Sequence, residues 1–134
     1  MDIYDKLIEL RITLSTYCDG FNVKNFSKNT SLSARTKILH LLSTRDLSPN
    51  EIIAELAIAK SNVAIITKSM IDDGVIISYK KIDNTRNIYY SITENGIQEL
   101  QNYKETFRKI LDVKSEDIED LDKSINKILN VIRK

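Results

Sequence analysis

SPNEIIAELAIAKSNVAIITKSMIDDGVIISYKKIDNTRNIYYSITENG, residues 48–96, is the stretch whose reading decides the fold of this 134-residue chain. Ser48 with Glu51 forms a capping box, and Leu47 with Ile52 forms the flanking hydrophobic staple. Pro49 sits at the first helical position, where its missing N–H costs nothing. A short helix therefore opens here and runs through SPNEIIAEL, to be followed by the tight turn AIA and a second helix, KSNVAIITKSMIDDG. Gly74 ends that helix; β-rich VIISYKKIDNTRNIYYSI predicts a hairpin, and TENG opens a further helix with Gly96 just inside it. Helix, turn, helix and hairpin in this order predict a winged helix-turn-helix.

Outward from this stretch the pattern is helical. Ile3, Leu7, Leu10, Leu14 and Tyr17 recur at steps of three and four, and Gly20 closes that run. Residues 21–32 are polar and irregular and read as a connection. Ser33 starts a short helix to Thr44 with Ile38, Leu39 and Leu42 inward. After the hairpin, Ile97, Leu100, Phe107 and Leu111 mark a long helix, interrupted at Asp112 to Ser115. A last helix carries Ile118, Leu121, Ile125, Ile128 and Ile132. The fold class expected is mainly α with a small β-hairpin wing: one domain over 1–134, with a winged lobe at 33–96 and helical dimerisation segments at 1–20 and 97–134. The terminal stripes are narrow, and a winged lobe cannot easily cover them. Pairing with the same stripes of a second copy about a two-fold axis is the simplest way to bury them; a monomeric bundle is the alternative.

Composition bounds the function. Charged residues make up 29% and hydrophobic ones 42%, the balance of a soluble globular protein. No apolar run approaches the roughly 18 residues of a membrane span, and Met1 leads into an acidic amphipathic segment rather than a signal peptide, so a cytoplasmic protein without membrane contact is expected. A single cysteine excludes an intrachain disulfide and a cysteine-cluster zinc site. Net charge is only +1, yet residues 24–91 carry ten Lys/Arg against six Asp/Glu while the two ends are slightly acidic. Basic charge is thus concentrated where a DNA reader would need it.

In a helix-turn-helix the second helix enters the major groove, N-terminal residues first. Val63, Ile66 and Met70 have the inward spacing, which leaves Lys60, Ser61, Asn62, Ala64, Ile65 and Lys68 on or near the outward face. Lys60 suits a phosphate or a guanine edge, and Asn62 can pair bidentately with adenine. Ser61 suits a phosphate or a base edge; Ala64 and Ile65 offer apolar surface for thymine methyls. Any polar surface helix could carry the same residues. The hairpin adds Tyr79, Lys80 and Lys81 before a loop of Asp83, Asn84 and Thr85, with Arg86 directly after it. A basic tip can place an arginine in a narrow minor groove; Asp83 can also pair with Arg86, and the two roles are compatible.

With LAIAKSNVAIITKSMIDDGVI followed by NTRNIYYSITENG, the chain resembles the MarR (multiple antibiotic resistance regulator) family over most of its length. The family's wing carries Asp-x-Arg and then Leu-Thr-x-x-Gly; this chain has Asn84 for the aspartate, keeps Arg86, and has Ile92 and Thr93 before Gly96. Ala59 and Ile65 stand where the family's reading helix usually has serine and arginine, so those phosphate contacts do not carry over. The resemblance implies a homodimeric transcriptional regulator of double-stranded DNA, a repressor in many members, whose two reading helices meet successive major grooves of a pseudo-palindrome about 34 Å apart. It also implies release by a small-molecule effector bound between the first helix and the Ser33–Thr44 helix, with Tyr4, Tyr17, Phe21, Phe26 and His40 as candidate lining.

Cys18 and His40 are the residues whose chemistry could point elsewhere. Some regulators of this kind sense peroxide through a first-helix cysteine, but Cys18 has Asp19 beside it, which disfavours a thiolate, and no resolving partner. A small core residue is its simpler role. His40 is the only histidine, too few donors for a zinc-responsive site. No nucleophile–base arrangement, phosphate-binding glycine loop or metal-hydrolysis motif is present, so no catalytic residue, metal or cofactor is expected and the chain does not read as an enzyme. The acidic run from Glu116 to Asp122 fits a helix N-terminus. The alternative to a DNA regulator is a winged-helix protein-interaction module, an adaptor or anti-repressor, motivated by the modest charge and the apolar Ile65.

Overall fold

The computed structural model describes residues 2–18, 32–82 and 84–133. Along the chain come α1 (Ile3–Cys18), α2 (Ala34–Leu42), α3 (Pro49–Leu56), α4 (Lys60–Asp72), β1 (Ile76–Lys81), β2 (Asn84–Ile92), α5 (Glu94–Ile110) and α6 (Ser115–Ile132). This is the mainly helical winged helix-turn-helix expected from the sequence, with β1 and β2 forming one antiparallel hairpin.

Local chemistry sets most of these boundaries. Ser48 Oγ accepts from the Glu51 N–H at 3.2 Å while the Glu51 carboxylate accepts from the Ser48 N–H at 3.1 Å, so both halves of the capping box form. That backbone donor holds the Glu51 carboxyl below its ordinary pKa. Ser33 caps α2 and Thr93 caps α5 through the one-way half of this motif, each side-chain oxygen accepting a backbone N–H three residues on. The end of α4 is a Schellman turn: Val75 N–H donates to Met70 O at 3.0 Å and Gly74 N–H to Ile71 O at 2.9 Å, with Gly74 left-handed at φ +74°. Val75 and Met70, the apolar pair such a turn brings together, are both buried. Between α3 and α4 the left-handed position falls instead on Ala57, at φ 52°.

The Thr-x-x-Gly segment at the start of α5 has a packing reason. Thr93 Oγ1 accepts from the Gly96 N–H and donates to Gly74 O at 2.7 Å, which pins the α5 N-terminus to the end of α4. A Cβ at Gly96 would lie 2.2 Å from Val75 O, so only glycine lets the helix approach β1 this closely.

The core lies between α2, α3, α4 and the hairpin. Ile38, Leu39 and Leu42 of α2 meet Ile52, Val63, Met70, Val75, Ile76, Tyr90 and Leu100. Leu47 joins them and bridges to Tyr90 through two backbone hydrogen bonds, adding a short third strand position that the sequence reading missed. The expected inward trio on α4 is also corrected. Val63, Thr67 and Met70 are buried and Ile66 is only half-buried. Thr67 Oγ1 donates to Val63 O at 2.8 Å and accepts from the Tyr90 hydroxyl at 3.3 Å, which makes a hydroxyl tolerable there.

The terminal helices stand apart from this core. No described side chain of α1 or α6 is buried, and Ile3, Ile12, Ile118, Ile125 and Ile132 are each about half exposed or more. α1 rests against α5. No helix among the described residues is long and apolar enough to cross a membrane.

Candidate nucleic-acid interface

The outward face of α4 is built by subtraction. Val63, Thr67 and Met70 anchor one side of the 13-residue helix, and the three-and-four spacing turns Lys60, Ser61, Asn62, Ala64, Ile65 and Lys68 to the surface, all of them exposed. These are the six helix residues singled out from the sequence. Ile65 is 69% exposed at the centre of this face. The N-terminus of α4 begins after Ala59, which supplies no side-chain cap, and its first turn holds no acidic residue. No side chain of its own therefore competes with an anion at the positive end of the helix dipole, where the Asn62 amide turns back to Ala59 O.

The wing presents two faces. Ile76, Ser78 and Lys80 pair with Ile92, Tyr90 and Ile88 on the inner face, while Ile77 and Tyr79 pair with Ser91 and Tyr89 on the outer one. Beyond Lys80 the register shifts: Lys81 pairs with Asn84, so residues 85–87 bulge from the ladder. Asn84 and Thr85, expected in the loop, open β2 instead. Lys80 and Lys81 are exposed. Lys81, part of the basic tip expected from the sequence, places Nζ 4.2 Å from the centre of the Tyr89 ring, a cation–π contact. Tyr79 stacks on Tyr89 at 6.0 Å and donates its hydroxyl to Asp46 Oδ2 at 2.5 Å, which raises the phenol pKa above its ordinary value. The side chain of Arg86 lies outside the described residues, as does Asp83.

Behind the interface a second long-range element was not legible in the sequence. Arg35 of α2 donates from Nε and Nη2 to the two Glu99 oxygens of α5, both at 2.8 Å, and from Nη1 to Asp73 Oδ2 at the end of α4, at 2.5 Å. The hydrogen bond to Glu99 leads the interactions that raise the Arg35 pKa. The arginine is charged at any working pH.

An open cleft of about 660 Å³ lies between α2, α5 and the start of α6. Thr36, His40, Leu100, Tyr103, Phe107 and Ile118 line it, with Lys104 and Arg108 at its polar edge. Of the candidate effector-binding residues, His40 is in this lining. Tyr4 is 72% exposed on α1 and is not; Phe21, Phe26 and the side chains of Tyr17 and Cys18 lie outside the described residues. On the α5 side of the cleft the Tyr103 and Phe107 rings lie with centres 6.1 Å apart. No grouping of three or more His, Cys, Asp or Glu suited to a metal occurs among the described residues.

No protein-family model and no curated protein matches the chain. Solved structures do, over nearly the whole length. A point mutant of MepR from a multidrug-resistant S. aureus clinical isolate superposes with a TM-score of 0.70 at 15% identity, covering 98% of each chain. A cysteine-to-serine mutant of MarR from E. coli gives 0.66 at 10% identity, over 96% of this chain and 97% of that one. The transcriptional regulator BldR from Sulfolobus solfataricus gives 0.60 at 19% identity, over 97% and 99%. The chain has the winged-helix fold of MarR-type regulators, terminal helices included.

Proposed function

We propose that this protein is a homodimeric, DNA-binding transcriptional regulator, a repressor of a pseudo-palindromic operator that a small ligand in the α2/α5 cleft releases. The observation that carries the reading is the outward face of α4, where Lys60, Ser61, Asn62 and Lys68 are exposed around an uncapped helix N-terminus. Lys80 on the wing adds a second positive contact, and Arg86 supplies the minor-groove arginine. The uncovered stripes of α1 and α6 support the dimer, in which two α4 helices reach successive major grooves.

Gel-shift with random-site selection at low salt tests this reading. It is expected to enrich an inverted repeat; enrichment of no repeat refutes it. Lys60→Ala and Arg86→Ala should each weaken binding and lower the slope of log affinity against log salt by about one.

One observation favours a second reading. Ile65 exposes most of its apolar surface at the centre of the face, which suits a protein partner as well as a thymine methyl. A winged-helix adaptor would bind protein through Lys60, Asn62 and Ile65 and hold DNA only weakly even at low salt.

A further inference from the structure

Burial anchors α4 in depth but not in direction. Val63 and Met70 press into the core, and hydrophobic contact is less directional than a hydrogen bond, so the exact angle of the helix is set most sharply where directional bonds act. Beyond the Tyr90 hydroxyl that meets Thr67 at its middle, the directional bonds act at its C-terminal end: the Schellman turn, the Thr93–Gly74 bond and the Arg35–Asp73 pair. At the other end lie Lys60, Ser61 and Asn62, without a side-chain cap. A helix of this length is about 20 Å long, so a tilt of about 5° at the held end displaces the far end by nearly 2 Å. That is enough to make or break a hydrogen bond to a base edge.

We infer that Arg35 is a positioning residue: its guanidinium fixes the direction of the reading helix α4 relative to α5, and thereby the spacing at which two such helices meet DNA. The inference rests on the DNA-binding reading proposed above. A two-pronged Arg–carboxylate contact is planar and therefore orienting, which a lysine could not reproduce. Here the prongs go to Glu99 of α5, and the remaining Nη1 reaches Asp73 at the C-cap of α4. Three elements distant in sequence are joined by one side chain. Because α5 runs on toward α6 and is the helix α1 rests against, it is the lobe's link to the terminal helices. Holding α4 to α5 therefore relates the reading helix to the dimer as well as to its own lobe.

The side chains of Arg35, Asp73 and Glu99 are 30%, 51% and 39% exposed, and pairs this exposed add little to stability. The two roles consequently separate. A brace needed only for folding loses stability and binding together; a positioning clamp loses spacing selectivity while stability stays.

The test uses the full chain and DNA probes with two half-sites, at the spacing the wild type selects and at spacings one or two base pairs longer and shorter. Asp73→Asn, Glu99→Gln and Arg35→Lys are compared with the wild type for discrimination among the probes and for thermal unfolding. The expected result is that Asp73→Asn and Glu99→Gln unfold close to the wild type and lose about fivefold of its discrimination. Arg35→Lys, which keeps the charge but not the fork, should lose as much. Unchanged discrimination in Asp73→Asn and Glu99→Gln overturns the inference, as does a loss that follows the fall in melting temperature from variant to variant. A wild type that binds no DNA refutes the underlying reading, and the inference with it.

Discussion

The winged lobe and the terminal helices use the same kind of sequence pattern and end in opposite states. In the lobe, apolar residues at helical and strand spacing converge until, among the described residues, eleven of them are buried in one cluster. In α6, Ile118, Leu121, Ile125 and Leu129 follow the helical spacing just as faithfully, yet each stays between 39% and 53% exposed. The difference lies in what stands opposite. The lobe's elements face one another within a single chain, whereas the described residues of this chain leave the apolar residues of α1 and α6 largely exposed. Periodicity thus identifies a face that seeks cover; it does not say whether the cover belongs to the same molecule.

That contrast can be broken most directly on α6. In the proposed dimer, Leu121→Glu combined with Ile125→Glu should halve the mass measured by sedimentation and leave the lobe folded by near-UV dichroism. DNA affinity should fall by about a hundredfold or more, because the second half-site is no longer bound by the same molecule. An unchanged mass would place these residues on free surface. Ile52→Ala is the converse experiment. It should remove about 2–5 kcal/mol of stability in denaturant unfolding, since the site is fully buried, while the mass of the folded species stays that of the wild type.

Smaller changes sharpen the picture within the lobe. Ala57 holds a left-handed conformation at φ 52°, which strains a residue with a Cβ. Ala57→Gly should therefore gain about 0.5 kcal/mol after the entropy glycine loses on folding is set against the relief of strain. The smallest effect is at the wing. With the Tyr79 phenol pKa raised by Asp46, the interaction is present below the ordinary tyrosine range and lost as pH climbs through the raised value. In an alkaline absorbance titration one tyrosine should ionise late, and Asp46→Asn should return it to the ordinary range.

Much of the fold was legible because its signals are local. The Ser48–Glu51 box, the left-handed Gly74 and the Thr93–Gly96 segment each involve residues a few positions apart, and each acts as its spacing suggests. The outward residues of α4 were legible for the same reason. The choice between Ile66 and Thr67 was not, because both positions lie on the inward stripe. Thr67 is the one buried because the Tyr90 hydroxyl, from β2, meets it there.

By itself, then, the sequence determined the element order, the caps and turns, the exposed face of α4 and the presence of apolar stripes at both ends. These follow from steric and hydrogen-bonding rules that act within a few residues. Tertiary structure alone decided the Leu47–Tyr90 bridge, the α2/α5 cleft and the meeting of Arg35 with Asp73 and Glu99. Those pairs are separated by tens of residues, and a contact between them exists only once the chain's geometry brings their side chains within bonding distance.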